Sequence, residues 1–178
     1  MRKLWEIREL STVAILVLEL AFFTWYLRPD GARAHPFFNA PNALLILKYS
    51  SIYGIAAIGA AMVIISGGVD LSPGAVIALA GVVVGQRFVD AHWSLTASII
   101  AGLAIGAVAG GLSALLVVLV RLPPFIATLG VMGIARGAAF IVTEGRYFDV
   151  SAHVPVDWRV AGVPLDWIAP ALMIALAL

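Results

Sequence analysis

The sequence contains no cysteine, which removes disulfides, thiolate nucleophiles and cysteine-held metals from the chemistry open to it. Charge is scarce too. Only 12% of the residues are Asp, Glu, Lys or Arg, about half the share usual in soluble domains. The 11 basic residues are scattered and the formal net charge is +1, so no basic face exists on which a nucleic acid could settle. His35, His92 and His153 lie far apart, each in or beside an expected loop. That placement fits solvated imidazoles better than a metal site. The patterns H-E-x-x-H, G-x-S-x-G and G-x-x-x-x-G-K-[ST] are also absent, so no hydrolase or nucleotide-binding signature is present. If the protein moves anything uphill, another chain hydrolyses the ATP.

What the sequence has in abundance is hydrocarbon. Hydrophobic residues make up 62% of it and the mean hydropathy is +1.05, far above a soluble domain. The solvent being matched is a membrane. A helix rising about 1.5 Å per residue needs about 20 apolar residues to cross roughly 30 Å of hydrocarbon. Five segments are expected to span, at roughly 10–27, 44–65, 73–89, 95–120 and 125–143. Trp25, Tyr26, Tyr49, Trp93, Tyr147 and Trp167 fall near their ends, where amphipathic rings favour the interface. A sixth segment, 167–178, is too short to span, and the chain is expected to be truncated there or to be the first half of something longer. The fold class expected is therefore all-α: a single polytopic transmembrane domain over 1–178, with helices broken near 66–74 and 121–125.

Ala32 and Ala34 form an A-x-A-like site before His35. The preceding apolar run is long for a signal peptide, and Arg28, Pro29, Asp30 and Gly31 intervene, so an uncleaved first span fits better. The basic residues Arg2, Lys3 and Arg8 place the amino terminus in the cytoplasm. Charge elsewhere gives no bias. With that orientation Arg121 lies inside, whereas Arg28, Arg33, Arg87, Arg146 and Arg159 lie outside.

The stretch "IISGGVDLSPGAVIALAG", residues 64–81, interrupts this apolar pattern. Bare backbone at membrane depth costs several kcal/mol per unsatisfied group, so an interruption there needs a reason. Gly67 and Gly68 end one helix, Ser72 suits an N-cap, and Pro73 suits the first helical position of the next. Asp70 either completes the turn or bonds the free amides of the new helix. Two readings stay open on these residues alone: a tight loop between spans, or a broken helix lining a polar pathway.

A second interruption, "VRLPPFIATLGVMGIARGAAFIV", starts a helix at Pro123 and Pro124, which cannot sit inside a regular one. Within it Thr128, Gly130, Gly133 and Gly137 thin one side, and Arg136 either snorkels, pairs structurally or serves the pathway. Glu19, in the first span, is expected to find a buried partner. Ser98, Gly102, Gly106, Gly110 and Ala114 recur at four-residue intervals, a small-residue face expected to pack against a neighbouring helix.

At this point a family resemblance is carried by the residues. "ISGGVDLSPGAVIALAGVVVG" and "LPPFIATLGVMGIARGAAFIVTEGR" resemble the two most characteristic segments of the permease subunits of bacterial ribose-type monosaccharide ABC importers. Gly67, Gly68, Asp70, Leu71, Ser72 and Gly74 fall on the first pattern. Pro124, Phe125, Ile126, Ala127, Thr128, Leu129, Gly130, Arg136 and Gly137 fall on the second. Pro73 and Ala75 depart from it, and both suit a helix start. The resemblance implies a bacterial inner-membrane transport subunit that moves a monosaccharide or small polyol by alternating access. Its implied path residues are Gly67, Gly68, Asp70, Ser72, Gly74, Pro124, Phe125, Thr128 and Arg136. The chain itself is implied to bind no cofactor, ATP being used by a partner ATPase. Partners implied are the ABC ATPase subunits, a second permease copy and an extracytoplasmic sugar-binding protein, with the 144–166 loop as a docking surface. The competing expectations are an ATP-independent channel or secondary carrier, and a permease fragment without transport activity.

Overall fold

A computed structural model describes residues 2–27, 37, 39–146, 148–150, 153, 159–160 and 163–177. Six α-helices run in chain order: α1 Arg2–Tyr26, α2 Ala40–Ile65, α3 Pro73–Gly85, α4 Leu95–Val118, α5 Pro124–Thr143 and α6 Leu165–Ala177. A two-residue antiparallel pairing, β1 Arg159–Val160 with β2 Val163–Pro164, precedes α6. Apart from that small pairing, the regular secondary structure among the described residues is helical, as the hydropathy pattern expects.

Most large apolar side chains have no protein around them. Leu103 is 69% exposed, Phe140 70% and Ile65 85%, an arrangement the hydrophobic effect forbids in water but lipid or neighbouring helices satisfy. Among the described residues four helices are long and apolar enough to cross a membrane: Ala40–Ile65, Pro73–Asp90, Leu95–Val118 and Pro124–Thr143. The protein is thus a multi-pass helical membrane protein. The expected fifth span, 10–27, lies on α1, whose apolar part, Leu10–Tyr26, falls in the shorter class with Trp167–Leu176 of α6.

The chain divides into two compact units, Met1–Ser51 and Ile52–Leu178, the boundary falling within α2. In the first, Phe23 stacks on Phe37 with ring centroids 6.1 Å apart. Asn39 Oδ1 accepts from the Asn42 N–H at 2.7 Å, ordering the start of α2. Glu19 is exposed on α1, and no buried partner meets it among the described residues; the expectation of one is corrected. An apolar helix face without protein cover leaves such a carboxylate at the surface.

In the second unit α3 is central and packs on both α4 and α5, which also touch each other. With Leu95 the larger exception, its buried apolar residues are mostly small: Ala75, Ala127, Ala135 and Val131 are buried. Close helix approach in lipid depends on such side chains, because hydrophobicity alone does not draw helices together there. Each start and stop has a local cause. Ser94, with extended backbone, accepts the Ala97 N–H on its hydroxyl at 3.3 Å and caps α4. Pro124 opens α5 at its first position, and α5 ends at Glu144 and Gly145, both at positive φ.

α3 does not end as expected. It widens into a π-helical turn, Gln86–Asp90, after which the Trp93 N–H donates to Arg87 O at 2.9 Å. This brings the Arg87 guanidinium 5.0 Å from the Trp93 ring centre, a cation–π contact. Phe148 lies against Gly85, where a Cβ would come within 2.9 Å of the Phe148 Cβ. Arg146 and Asp90 approach to 3.9 Å but are both largely exposed, so the pair adds little.

Candidate functional site

The break between α2 and α3 is built residue by residue from its own sequence. α2 stops in a left-handed turn with Gly67 at φ +83°, a conformation costly for any residue with a Cβ. The Gly67 N–H donates to Ile64 O and the Gly68 N–H to Val63 O, both at 3.0 Å. This pair of bonds is the Schellman closure, which satisfies carbonyls that would otherwise be bare in the membrane. Gly68 is needed for space: a Cβ there would meet Val63 Cγ1 at 3.2 Å and Pro124 Cβ at 3.6 Å.

Beyond the glycines the chain turns on Asp70. Its Oδ1 accepts the Ser72 N–H at 2.8 Å and the Ser72 hydroxyl at 2.7 Å. The expected role of Ser72 is corrected here. It occupies the N-cap position of α3, and the Val76 N–H donates to its carbonyl, but its side chain caps no amide and its backbone is already helical. With helical rather than extended backbone the side chain is not set over the first amides of α3, and its hydroxyl proton goes to the carboxylate two residues back. Of the two roles open to Asp70, the one found is completion of the turn.

Thr128 then joins the break to α5. Its buried Oγ1 accepts the Leu71 N–H at 3.2 Å and donates to Val69 O at 3.2 Å, with Phe125 O at 3.4 Å as the alternative acceptor. One hydroxyl therefore satisfies backbone on both sides of Asp70. Thr128→Val keeps the shape and removes both bonds, at about 1–3 kcal/mol for each orphaned group. Faster amide exchange across 68–72, restored in Thr128→Ser, is the expected result; an unchanged exchange rate in the valine variant would refute the bridge.

Two cavities flank Asp70. One, of about 340 Å³, is lined by Ser66, Gly68, Asp70, Gly110, Ser113 and Thr128 among others. The second, of about 300 Å³, includes Asp70, Ser72, Pro73, Gly106 and Gly110. The small-residue face of α4 is thereby divided. Gly102 packs on α3, where a Cβ would strike Val84 Cγ2 at 2.6 Å and approach Ala80 O at 3.4 Å. Gly106 and Gly110 have nothing within 4 Å of a Cβ, so the expectation that the whole face packs is corrected: these two leave room for the cavities.

The structure thus brings together Gly67, Gly68, Asp70, Ser72, Pro124 and Thr128. It leaves Gly74 facing open space and the Phe125 side chain exposed. Arg136 is exposed farther along α5, about 12 Å from Thr128 at the helical rise, and lines neither cavity. Sequence reading passed over Ser113, whose only signal is a hydroxyl in the apolar run "GGLSALLVV". Among the described residues no group of His, Asp and Glu could hold a metal ion.

The described residues form a multi-pass helical membrane protein in which the turn between two candidate spans is tied to a third and flanked by cavities. Residues 42–177 match the family described as "Branched-chain amino acid transport system / permease component", and the chain belongs to that family. It is similar to the Autoinducer 2 import system permease protein LsrC of Yersinia pseudotuberculosis serotype O:1b (strain IP 31758), 31% identical over 147 residues, covering 79% of this chain and 41% of the relative. It is also similar to the Fructose import permease protein FrcC of Rhizobium meliloti, 33% identical over 149 residues, covering 82% of this chain and 40% of the relative. The chain therefore spans about two-fifths of the length of these curated relatives. No solved structure matches.

Proposed function

We propose that the chain is a transmembrane permease subunit of an ATP-driven ABC importer, forming the path for a monosaccharide or related small polyol by alternating access. The observation that carries this reading is the break itself: Thr128 on α5 holds Val69 and Leu71 beside a cavity of about 340 Å³. A movement of α5 against α3 is then transmitted directly to the wall of the path. The path residues are Gly67, Gly68, Asp70, Ser72, Gly74, Pro124, Phe125, Thr128 and Arg136, within one transmembrane domain in which α1 serves as a fifth span.

The family description names amino acids, whereas the two relatives are named for autoinducer 2 and fructose. Among the described residues no Lys, Arg or His lines the cavity, and Asp70 does, so an amino acid would find a partner for its ammonium but none for its carboxylate, whereas a neutral, hydroxylated cargo brings no charge that needs one. ATP is bound and hydrolysed by a partner ATPase rather than by this chain. A second permease copy and an extracytoplasmic sugar-binding protein complete the assembly, in the bacterial inner membrane with the amino terminus in the cytoplasm.

The test is uptake of radiolabelled fructose and ribose into vesicles holding the chain with its ATPase and binding protein. Uptake should require ATP and fall to background when the ATPase is inactivated. Flux that persists without ATP hydrolysis would replace this reading with a channel or secondary carrier.

A further inference from the structure

We infer that the cavity beside the break is a hydroxyl-binding site in which Ser113 Oγ and the Asp70 carboxylate are the polar contacts for a small neutral polyol or monosaccharide. The inference rests on the transport reading above and supplies contacts which that reading does not name. Ser113 Oγ is the one buried side-chain polar atom without a hydrogen-bond partner among the described residues. Several other helix hydroxyls are spent on their own backbone. Ser51 donates to Lys48 O at 2.6 Å, Ser98 to Ser94 O at 3.1 Å and Thr143 to Phe140 O at 3.1 Å, the usual way a hydroxyl is satisfied in a helix.

The same holds for the other hydroxyls lining this cavity. Ser66 donates to Val63 O at 2.7 Å and Thr128 to Val69 O at 3.2 Å, so of the hydroxyls lining this cavity Ser113 alone keeps its proton for something inside. Asp70 is likewise half used: both bonds from Ser72 end on Oδ1, leaving Oδ2 as an acceptor. Gly110, one turn before Ser113, adds space, since a Cβ there would touch nothing within 4 Å. The remaining wall includes Val63, Val69, Val117 and Pro124, apolar surface that suits the C–H faces of a sugar. A buried unpaired hydroxyl is costly, and a ligand rich in hydroxyls satisfies Ser113 as donor or acceptor while donating to Asp70. Few convergent polar groups in an apolar cavity is the general form of a small-molecule site.

Because the chain has no cysteine, Ser113→Cys places its only thiol in the cavity. In membranes carrying the assembled transporter, a water-soluble methanethiosulfonate reagent should modify that thiol. D-ribose or xylitol should slow the reaction in a concentration-dependent way, and leucine should not. Ser113→Ala should raise the sugar concentration for half-maximal uptake by about two- to tenfold, the worth of one hydrogen bond, and Ser113→Thr should restore it. A thiol that never reacts, or one modified equally fast with and without polyol, would overturn the inference and leave an ordered water as the occupant. Normal uptake by Ser113→Ala, in vesicles where unsubstituted protein transports sugar, would also remove Ser113 while leaving the transport reading in place. Absence of uptake by unsubstituted protein would instead remove that reading.

Discussion

Gly102→Leu is expected to destabilise the protein by about 1–3 kcal/mol, the cost of forcing volume into a packed contact, whereas Gly106→Leu on the same helix face leaves stability intact or raises it. At Gly102 the first added carbon already lies 2.6 Å from Val84 Cγ2 and 3.4 Å from the carbonyl oxygen of Ala80. A γ-branched chain must push α4 off α3, and α3 is the helix that packs on both neighbours. Helix propensity works the other way, by about 1 kcal/mol for replacing glycine with leucine, and is smaller than the clash. At Gly106 nothing lies within 4 Å, so the propensity gain is unopposed. Thermal unfolding of the detergent-solubilised protein, followed by loss of the monodisperse peak, measures both. Equal midpoints for the two variants would show that the face is packed uniformly and that the α3–α4 contact is wrongly placed.

The largest effect on transport is expected from Asp70→Ala, with uptake reduced to near background while membrane insertion stays normal. Ser72 is buried, and its N–H and hydroxyl both donate to Asp70 Oδ1. Removing the acceptor leaves two buried donors unpaired, at about 1–3 kcal/mol each, and the turn relaxes to find other partners. Asp70→Asn separates geometry from charge, because an amide oxygen still accepts both bonds. The asparagine variant should keep the wild-type amide protection at 70–72, and any loss of uptake it shows reports the carboxylate charge. Wild-type uptake by Asp70→Ala would remove the break from the transport path.

Much of this site was legible in the sequence. "SGGVDLSP" names its own turn, since Gly67 takes the positive φ, Asp70 bonds two residues ahead, and Pro73 starts a helix. All three effects act within a few residues. Ser72 differs from the expected cap because its backbone is already helical, whereas a capping side chain needs the extended conformation, which the residue type alone does not dictate. The π-helical turn at Gln86–Asp90 left no local signal, and it is found where Phe148 leans on Gly85, a contact made by a distant loop.

The sequence by itself determined that this is a helical membrane protein, roughly where four of its spans lie, and where the chain breaks. Those properties follow from hydropathy and from the backbone limits of glycine and proline, which need no neighbour. Only the tertiary structure decided which small residues pack and which leave space. Gly102, Gly106 and Gly110 are equivalent in the four-residue pattern, yet of the three only Gly102 would crowd α3 on gaining a Cβ, and a periodic pattern carries no record of how far apart two helices stand. The same is true of the bond from Leu71 to Thr128, across 57 residues of sequence, and of the unspent hydroxyl of Ser113. A hydrogen bond depends on where two groups come to lie, and packing sets that.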